Sequence, residues 1–389
     1  MEITKMKKRK NCNKLTNLES IWQNALFLDI ETTGFSPEKS RLYLIGVSYI
    51  QQTSESTSQS ASEPTQMLVT EQFFAESFED EPLLLQEFET LASHFQTIIT
   101  FHGNQFDIPF LAGCCKRLGF VWDTESKSEN TLVDNNKNYV DLYKLAYRYR
   151  NVFRLENYKQ KTIEKFLGID RMDCDTGGDL VKVYRNYLKH PEDALFERLM
   201  QHNYEDITGM IRLLKLYAYE NFFQGKFCIL ECQCSSYHQL DAGCAKELLI
   251  LCQLSHVLPA PITCCWREFY MHADGERAVF RIPFLEDTLK YFYQNYKDYY
   301  YLPEEDVAIH KSVAAYVDSA HREKAKPSNC YNKKTGVYLP QYEEMVIPAF
   351  YTEYKAPKSY FEWTDALAEN KTLMKQYCMH ILHIIKAGK

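Results

Sequence analysis

Five side chains in three short segments could carry acid, base or metal chemistry. Asp29 and Glu31 lie two residues apart at the end of an apolar run, so strand geometry would place both carboxylates on one face of a sheet. Asp107 follows a later apolar run, and His202 and Asp206 have the spacing that places two side chains on one face of a helix. Carboxylates in such a group could bind a divalent cation such as Mg²⁺, and an imidazole could transfer a proton.

Each segment also has a purely structural interpretation. Asp29 and Glu31 could simply end a strand in a polar turn, and Asp107 could cap a helix. His202 and Asp206 could form a solvated pair on a helix surface. The order of the segments favours one shared site, because the side chains follow a first strand, a later strand and a closing helix.

Hydrophobic patterning predicts the elements that must position these residues. Strands are predicted at 25–30, 42–50, 67–74 and 97–102, helices at 82–95 and 107–118, and a last helix running to about residue 221. Three strands, then alternating strand and helix, then a helical tail predict an α/β fold with a mixed sheet flanked by helices. We expect this domain to span residues 18–225.

The remaining chain is predicted to differ at both ends. Residues 1–17 are basic and are interpreted as a flexible tail, whereas residues 226–389 are rich in proline and tyrosine and predict a second, α+β domain. Asp274 and Gly275 predict a hairpin turn. The tyrosine-rich run at 291–301 is interpreted as a helix that packs its rings into a core, with a stacking platform as the alternative.

Composition excludes several classes of protein. The 389 residues include 45 Lys and Arg against 52 Asp and Glu, and a net charge of −7 excludes a protein that holds polyanions by bulk charge. The 13 cysteines include adjacent pairs that seldom bridge each other, which favours reduced thiols in a cytoplasm. No apolar run is long enough to span a membrane, and no export signal is recognised, so we expect a cytoplasmic protein without membrane association.

Three motifs together resemble the DEDD exonucleases of the ribonuclease-H-like superfamily. They are LDIETTG at 28–34, GNQFDIPFL at 103–111 and HNYEDITGM at 202–210. The sequence is most similar to the predicted exonuclease branch typified by YprB-like proteins, over about residues 20–220. One departure concerns the base: DEDD enzymes that use a histidine usually place it five residues before the last aspartate, whereas His202 is four before Asp206. Tyr204 therefore stays open as the alternative base.

The resemblance implies a two-metal site that holds Mg²⁺ or Mn²⁺. Asp29 would bridge the ions, and Asp107 would hold one of them largely through water. Glu31 and Asp206 would hold the other, on the side of the nucleophile. His202 would take the proton from the attacking water, for which its ordinary pKa is suited.

The resemblance also implies a substrate cleft and a reaction. The expected substrate-binding residues are Thr32, Thr33, Gly34, Phe35 and Asn104. The implied activity is hydrolysis of phosphodiester bonds by a 3′ to 5′ exonuclease, with a nucleic acid partner, DNA or RNA, entering as a single-stranded 3′ end. The alternatives are a catalytically silent module that binds nucleic acid or protein, and an endonuclease on the same fold. Protein partners and the role of residues 226–389 are not predicted.

Overall fold

A computed structural model describes residues 3–11, 24–53, 65–120, 137–173, 175–239 and 243–388. The chain divides into two compact units, Met1–Glu220 and Asn221–Lys389. The first unit contains every residue that the sequence predicts for the site. Within the described residues, no helix is both long enough and apolar enough to cross a membrane.

Six strands form the sheet of the first unit in the described part of the chain. They are β1 (Thr4–Asn11), β2 (Ala25–Thr32), β3 (Leu42–Thr53), β4 (Thr65–Phe74), β5 (Thr97–Thr100) and β6 (Asn138–Asp141). Their order across the sheet is β1-β4-β3-β2-β5-β6. The pairs from β1 to β2 are antiparallel, whereas β5 pairs in parallel with both β2 and β6. The sheet is therefore mixed, as predicted.

Helices accompany this sheet. They are α1 (Glu81–Ala92), α2 (Asp107–Leu118), α3 (Leu142–Arg148), α4 (Arg150–Phe153), α5 (Gln160–Phe166), α6 (Gly177–Tyr187), α7 (Asp193–Leu213) and α8 (Tyr217–Phe223). The long helix α7 contacts β2 and β3. Gly46 on β3 allows this approach, because a Cβ atom there would lie 2.0 Å from both Asn203 Oδ1 and Ile207 Cδ1.

The strand and helix predictions around the site are confirmed, but the flexible tail predicted at 1–17 is wrong over residues 4–11. Residues Thr4–Asn11 form edge strand β1, which pairs with β4 instead of remaining flexible. The lysines of this segment suggested a solvated tail, but two of them form ion pairs with acids distant in sequence. Lys7 pairs with Glu71 at 2.7 Å, and Lys5 pairs with Glu87 at 2.6 Å. Lysine on an edge strand is a common protection against pairing with other chains. Residues 54–64, between β3 and β4, lie outside the described residues.

The second unit contains three sheets in its described part. Its strands are β7 (Phe227–Gln239), β8 (Gly243–Leu254), β9 (Ile262–Trp266), β10 (Phe269–Asp274), β11 (Arg277–Pro283), β12 (Leu285–Phe292), β13 (Tyr299–Leu302), β14 (Val307–His310), β15 (Glu323–Lys324), β16 (Tyr331–Gln341) and β17 (Ser359–Glu362). Its helices are α9 (Lys311–Ala314), α10 (Asp365–Glu369) and α11 (Lys371–Ala387). The hairpin turning at Asp274 and Gly275 is confirmed by the pairing of β10 with β11. The helix predicted at 291–301 is wrong, because this run contributes to β12 and β13.

Candidate active site

The end of β2 brings three of the predicted acids together. Pairing between β2 and β5 extends only from Ala25 to Phe27, so the backbone of Ile30 is released from that partner. The Ile30 N–H instead donates to Asp107 Oδ1 at 3.2 Å. Asp107 is therefore fixed beside Asp29 and Glu31, which flank Ile30 on the strand.

Helix α7 adds the remaining two predicted residues. His202 Nε2 lies 3.1 Å from Asp206 Oδ2 and 3.6 Å from Glu31 Oε1. Ligand atoms of Glu31, His202 and Asp206 all lie within 4.8 Å of one another, which is close enough to surround one metal ion. The pair spaced four residues apart on α7 and the pair spaced two residues apart on β2 therefore project into the same site. We call Asp29, Glu31, Asp107 and Asp206 the acid cluster.

Asp29 is oriented from α7 by a residue that the sequence analysis did not select. Asn203 Nδ2 donates to Asp29 Oδ2 at 2.8 Å, and Asn203 is fully buried. Gln72 Nε2 on β4 donates to Asn203 Oδ1 at 2.9 Å, which fixes the orientation of the Asn203 amide. Asn203 directly follows His202 in the HNYED segment. This position next to a predicted site residue is the one feature of the sequence that could have indicated its role.

The segment between α5 and α6 contacts both site residues of α7. Arg171 Nη2 donates to Asp206 Oδ1 at 2.5 Å, and Arg171 Nη1 donates to Glu164 Oε2 at 3.0 Å. Asp173 Oδ2 lies 2.7 Å from His202 Nδ1. Neither Arg171 nor Asp173 was predicted, because irregular segments carry no periodic pattern that would place their side chains.

The surroundings of Asp29, Glu31 and Asp107 are unfavourable for negative charge. Burial, together with the charges of Asp206 and Glu31, raises the pKa of Asp29 well above its ordinary value. Burial and the charges of Asp206 and Asp107 likewise raise the pKa of Glu31. Burial raises the pKa of Asp107 to about 7, and the hydrogen bond from the Ile30 N–H opposes that shift.

His202 and Asp206 shift in the directions that an ion pair produces. Burial lowers the pKa of His202, but the hydrogen bond and charge of Asp206 outweigh it and raise that pKa above the ordinary value. Burial raises the pKa of Asp206, but His202 and Arg171 outweigh it and lower that pKa. Positive charge is therefore concentrated at Asp206 and is scarce around the other three acids.

The donor set fits a hard divalent cation. In the described part of the chain, no lysine or arginine forms an ion pair with Asp29, Glu31 or Asp107. Buried carboxylates are normally paired or coordinate metals, because an isolated buried charge is very costly. Carboxylate oxygens are the ligands that Mg²⁺ and Mn²⁺ prefer. A bound cation would supply the positive charge that these three acids lack.

A cleft of about 770 Å³ opens beside Asp29, His202 and Asp206. We call it the aromatic cleft, and its lining includes Phe101, His102, Tyr143, Tyr147, Tyr158, Lys159 and Lys161. The rings of Tyr143 and Tyr147 stack with centroids 5.5 Å apart, and the Tyr158 ring meets Tyr147 edge-on at 5.4 Å. Tyr147 is 43% exposed, and the Arg150 guanidinium lies 4.9 Å from the centroid of its ring.

The residues predicted to bind substrate lie outside the lining of the aromatic cleft. Thr32 Oγ1 donates to the Gly34 carbonyl at 2.7 Å, and Thr33 Oγ1 accepts from the Arg41 N–H at 2.8 Å, so both hydroxyls brace the turn after β2. Phe35 is 90% exposed and meets the Phe106 ring edge-on at 6.0 Å. Asn104 is half-buried in the turn before α2. Their roles in binding stay predictions.

Tyr204, the alternative base, is on another side of α7. It lines a separate pocket of about 260 Å³ that includes Arg171 and Glu205 but not Asp29 or His202. The Lys8 ammonium lies 4.0 Å from the centroid of the Tyr204 ring. The two-residue offset from His202 explains this difference, because residues i and i+2 do not share a helix face.

Residues 26–218 match the family model described as RNase_H superfamily. Among solved structures, the family B DNA polymerase from the archaeon Pyrobaculum calidifontis is 16% identical with a TM-score of 0.37, and the match covers 52% of this chain and 25% of the polymerase. The E. coli ExoI–ssDNA complex in its zinc-bound form is 15% identical with a TM-score of 0.25, covering 59% of this chain and 54% of that one. E. coli exonuclease I with a dA16 oligonucleotide is 14% identical with a TM-score of 0.24, covering 60% and 55%.

This chain thus spans a quarter of the polymerase and just over half of the exonuclease I chains that it matches. No curated protein matches it. The predicted fold class is confirmed, both for the mixed sheet flanked by helices and for the further sheets of the second unit. The first unit of this chain therefore has a ribonuclease-H-like fold.

Proposed function

We propose that this protein is a nuclease that depends on Mg²⁺ or Mn²⁺ and hydrolyses phosphodiester bonds in nucleic acid. The observation that carries the proposal lies in the acid cluster: in the described part of the chain Asp29, Glu31 and Asp107 have raised pKa values and no lysine or arginine partner, and they lie beside a histidine. A protein that only bound phosphates would gain nothing from this negative charge. A divalent cation would satisfy it and would also attract a phosphodiester.

Asp29, Glu31, Asp107 and Asp206 would hold the metal ions, and His202 would accept the proton from the attacking water. Divalent ions in such a site supply an activated water near neutral pH and stabilise the departing oxygen. His202 Nε2 faces Glu31 and Asp206, so its proton-accepting edge is on the side of the acid cluster. The location of Tyr204 outside the aromatic cleft supports His202 over Tyr204 as the base.

The aromatic cleft supports a single-stranded end as the substrate. Bases that have left a duplex expose their faces, and stacking on an aromatic side chain contributes about 1–3 kcal/mol per base. Tyr147 offers an exposed ring in a cleft that also contains Asp29 and His202. The exposed Lys159 adds positive charge for a phosphate. We propose that the strand enters with its 3′ end at the acid cluster, as in a 3′ to 5′ exonuclease of the DEDD, YprB-like type.

The test compares 5′-labelled single- and double-stranded DNA and RNA in the presence of Mn²⁺. Wild-type protein should release mononucleotides from the 3′ end, and Asp29→Ala should be inactive. Glu197→Gln is the matched control, because Glu197 is an exposed acid on α7 outside the aromatic cleft. If Asp29→Ala cleaved as fast as wild type, the proposed site would be wrong.

Two further outcomes identify the alternative functions. Internal cleavage of a circular substrate would indicate an endonuclease on the same fold. A protein that binds no Mn²⁺ in calorimetry, even with an oligonucleotide present, would be a silent binding module. If the protein is a nuclease, calorimetry should detect Mn²⁺ binding to the wild type, and Asp29→Ala should weaken that binding.

A further inference from the structure

The His202 ring is held at both edges, and only one edge faces the acid cluster. Asp173 Oδ2 lies 2.7 Å from Nδ1, whereas Nε2 lies 3.1 Å from Asp206 Oδ2 and 3.6 Å from Glu31 Oε1. The ring is buried, with a side-chain exposure of 6%. Carboxylates therefore compete for the ring hydrogen from opposite sides.

This competition decides which nitrogen can act as a base. A neutral imidazole carries one hydrogen, and the nitrogen without it is the proton acceptor. The partner of one nitrogen determines which form is present. When Asp173 holds the hydrogen on Nδ1, Nε2 is left as the acceptor on the side of the acid cluster. Without Asp173, Asp206 and Glu31 would draw the hydrogen to Nε2 and leave that edge unable to accept a proton.

Asp173 is itself held by several contacts within the first unit. Lys161 Nζ donates to Asp173 Oδ2 at 2.8 Å, and the Asp175 N–H donates to Asp173 Oδ1 at 3.0 Å. Glu205 Oε2, from the same helix as His202, accepts from the backbone N–H groups of Met172 and Asp173 at 3.1 and 2.9 Å. Helix α7 therefore fixes the segment that in turn fixes its own histidine.

We propose that Asp173 is a positioning residue that keeps the hydrogen of neutral His202 on Nδ1 and directs Nε2 to the acid cluster. The kinetic consequence rests on the proposed nuclease function, whereas the effect on the ring does not. Asp173 lies outside the four acids assigned to the metals, and its contact with the acid cluster is made through the histidine.

The kinetic test uses the wild-type protein, Asp173→Ala, His202→Ala and the double variant. Asp173→Ala should lower kcat by about 10- to 100-fold with little change in KM, as is usual when a group behind a site residue is lost. In the His202→Ala background the same change should cost nothing further, because residues that act as one unit are not additive. Asp173→Asn should restore part of kcat, because its amide oxygen can still accept from Nδ1. Full additivity of the two alanine changes would overturn the proposal.

The second measurement is independent of nuclease activity. Nitrogen-15 NMR of the histidine rings at alkaline pH, with His202 assigned by its loss in His202→Ala, should show the hydrogen on Nδ1 in the wild type. Asp173→Ala should move it to Nε2. Asp179→Ala should not, because Asp179 is a half-exposed acid in the first turn of α6. If the wild-type ring carried its hydrogen on Nε2, the proposal would be wrong. If wild-type protein showed the expected ring but no cleavage, the proposed function would fail while the role of Asp173 would stand.

Discussion

Glu81 and the acid cluster are both buried carboxylate sites in the first unit, but their counter-charges differ. Glu81 is 1% exposed, and Arg117 Nη2 donates to its Oε1 at 2.7 Å. The Leu42 N–H donates to the same oxygen at 2.8 Å, and Arg41 Nε lies 3.8 Å from Oε2. Glu81 therefore has its full set of partners from the protein itself.

Glu31 and Asp107 of the acid cluster are carboxylates at similar burial, but in the described part of the chain no lysine or arginine pairs with either of them. Glu31 is 9% exposed and Asp107 is 5% exposed, and each lies in the field of further acids. A buried carboxylate that already has an arginine contributes to structure, whereas one that lacks a cation indicates a site for a charged ligand. Burial alone does not separate the two cases, but the counter-charge does.

The largest expected effect is on catalysis by Asp29→Asn. This change should lower the cleavage rate by about 10³-fold or more, because charge stabilisation by metal is worth several kcal/mol. The folded first unit should lose no stability, since the change removes a charge from among like charges. Hydrogen exchange of the β2 and β3 amides measures that stability. A variant that lost both activity and protection would show that Asp29 is a structural residue like Glu81.

Glu81→Gln should have the opposite pattern, with lower stability and unchanged chemistry. Removing one partner of a buried ion pair leaves the other without its counter-charge, and we expect a loss of roughly 3 kcal/mol in the free energy of unfolding. That figure is at the lower end of the usual range because the Arg117 side chain is 20% exposed. Urea unfolding measures the loss, and kcat per folded molecule should match wild type. A loss below about 1 kcal/mol would contradict the assignment of Glu81 as a structural pair.

Mn²⁺ should stabilise the protein through the acid cluster. A ligand that binds only the folded state adds about 2.7 kcal/mol at a concentration of 100 times its Kd. Thermal unfolding with and without Mn²⁺ measures this gain as a rise in Tm. Asp29→Asn should abolish most of the rise and Glu81→Gln should retain it. An equal rise in both variants would place the metal elsewhere.

The smallest effect should come from a pair that has counter-charge but no burial. Lys246 and Glu286 in the second unit form an ion pair at 3.0 Å, and both side chains are more than half exposed. Water screens such pairs, so Glu286→Gln should change the free energy of unfolding by less than about 1 kcal/mol. Urea unfolding provides the measurement. A loss as large as that of Glu81→Gln would mean that burial does not control the strength of these pairs.

Regular elements explain why much of the candidate site could be predicted from the sequence. Asp29 and Glu31 share a strand and His202 and Asp206 share a helix, so fixed periods place each pair on one face. The predicted bounds of the helix that begins at Asp107 agree with α2. In each case the local repeat of the backbone was sufficient.

Long-range contacts explain what could not be predicted. Arg171 and Asp173 reach α7 from an irregular segment, and no periodic signal in the sequence relates them to His202 or Asp206. Strand β1 is stabilised by partners such as Glu71 that are distant in sequence, so its lysines alone suggested a solvated tail. The aromatic cleft likewise combines rings from several elements, so no single motif indicated it.

Through the hydrogen bond from the Ile30 N–H, the main chain of β2 determines where Asp107 lies relative to Asp29 and Glu31. The place where β2 parts from β5 determines which amide is available, and that amide holds the start of α2 at a fixed height along the strand. A slip of β2 by a single residue would turn its acids to the opposite face of the sheet. A core substitution that shifted the register of β2 would therefore separate the acids of the site, although every acidic residue would still be present in the sequence.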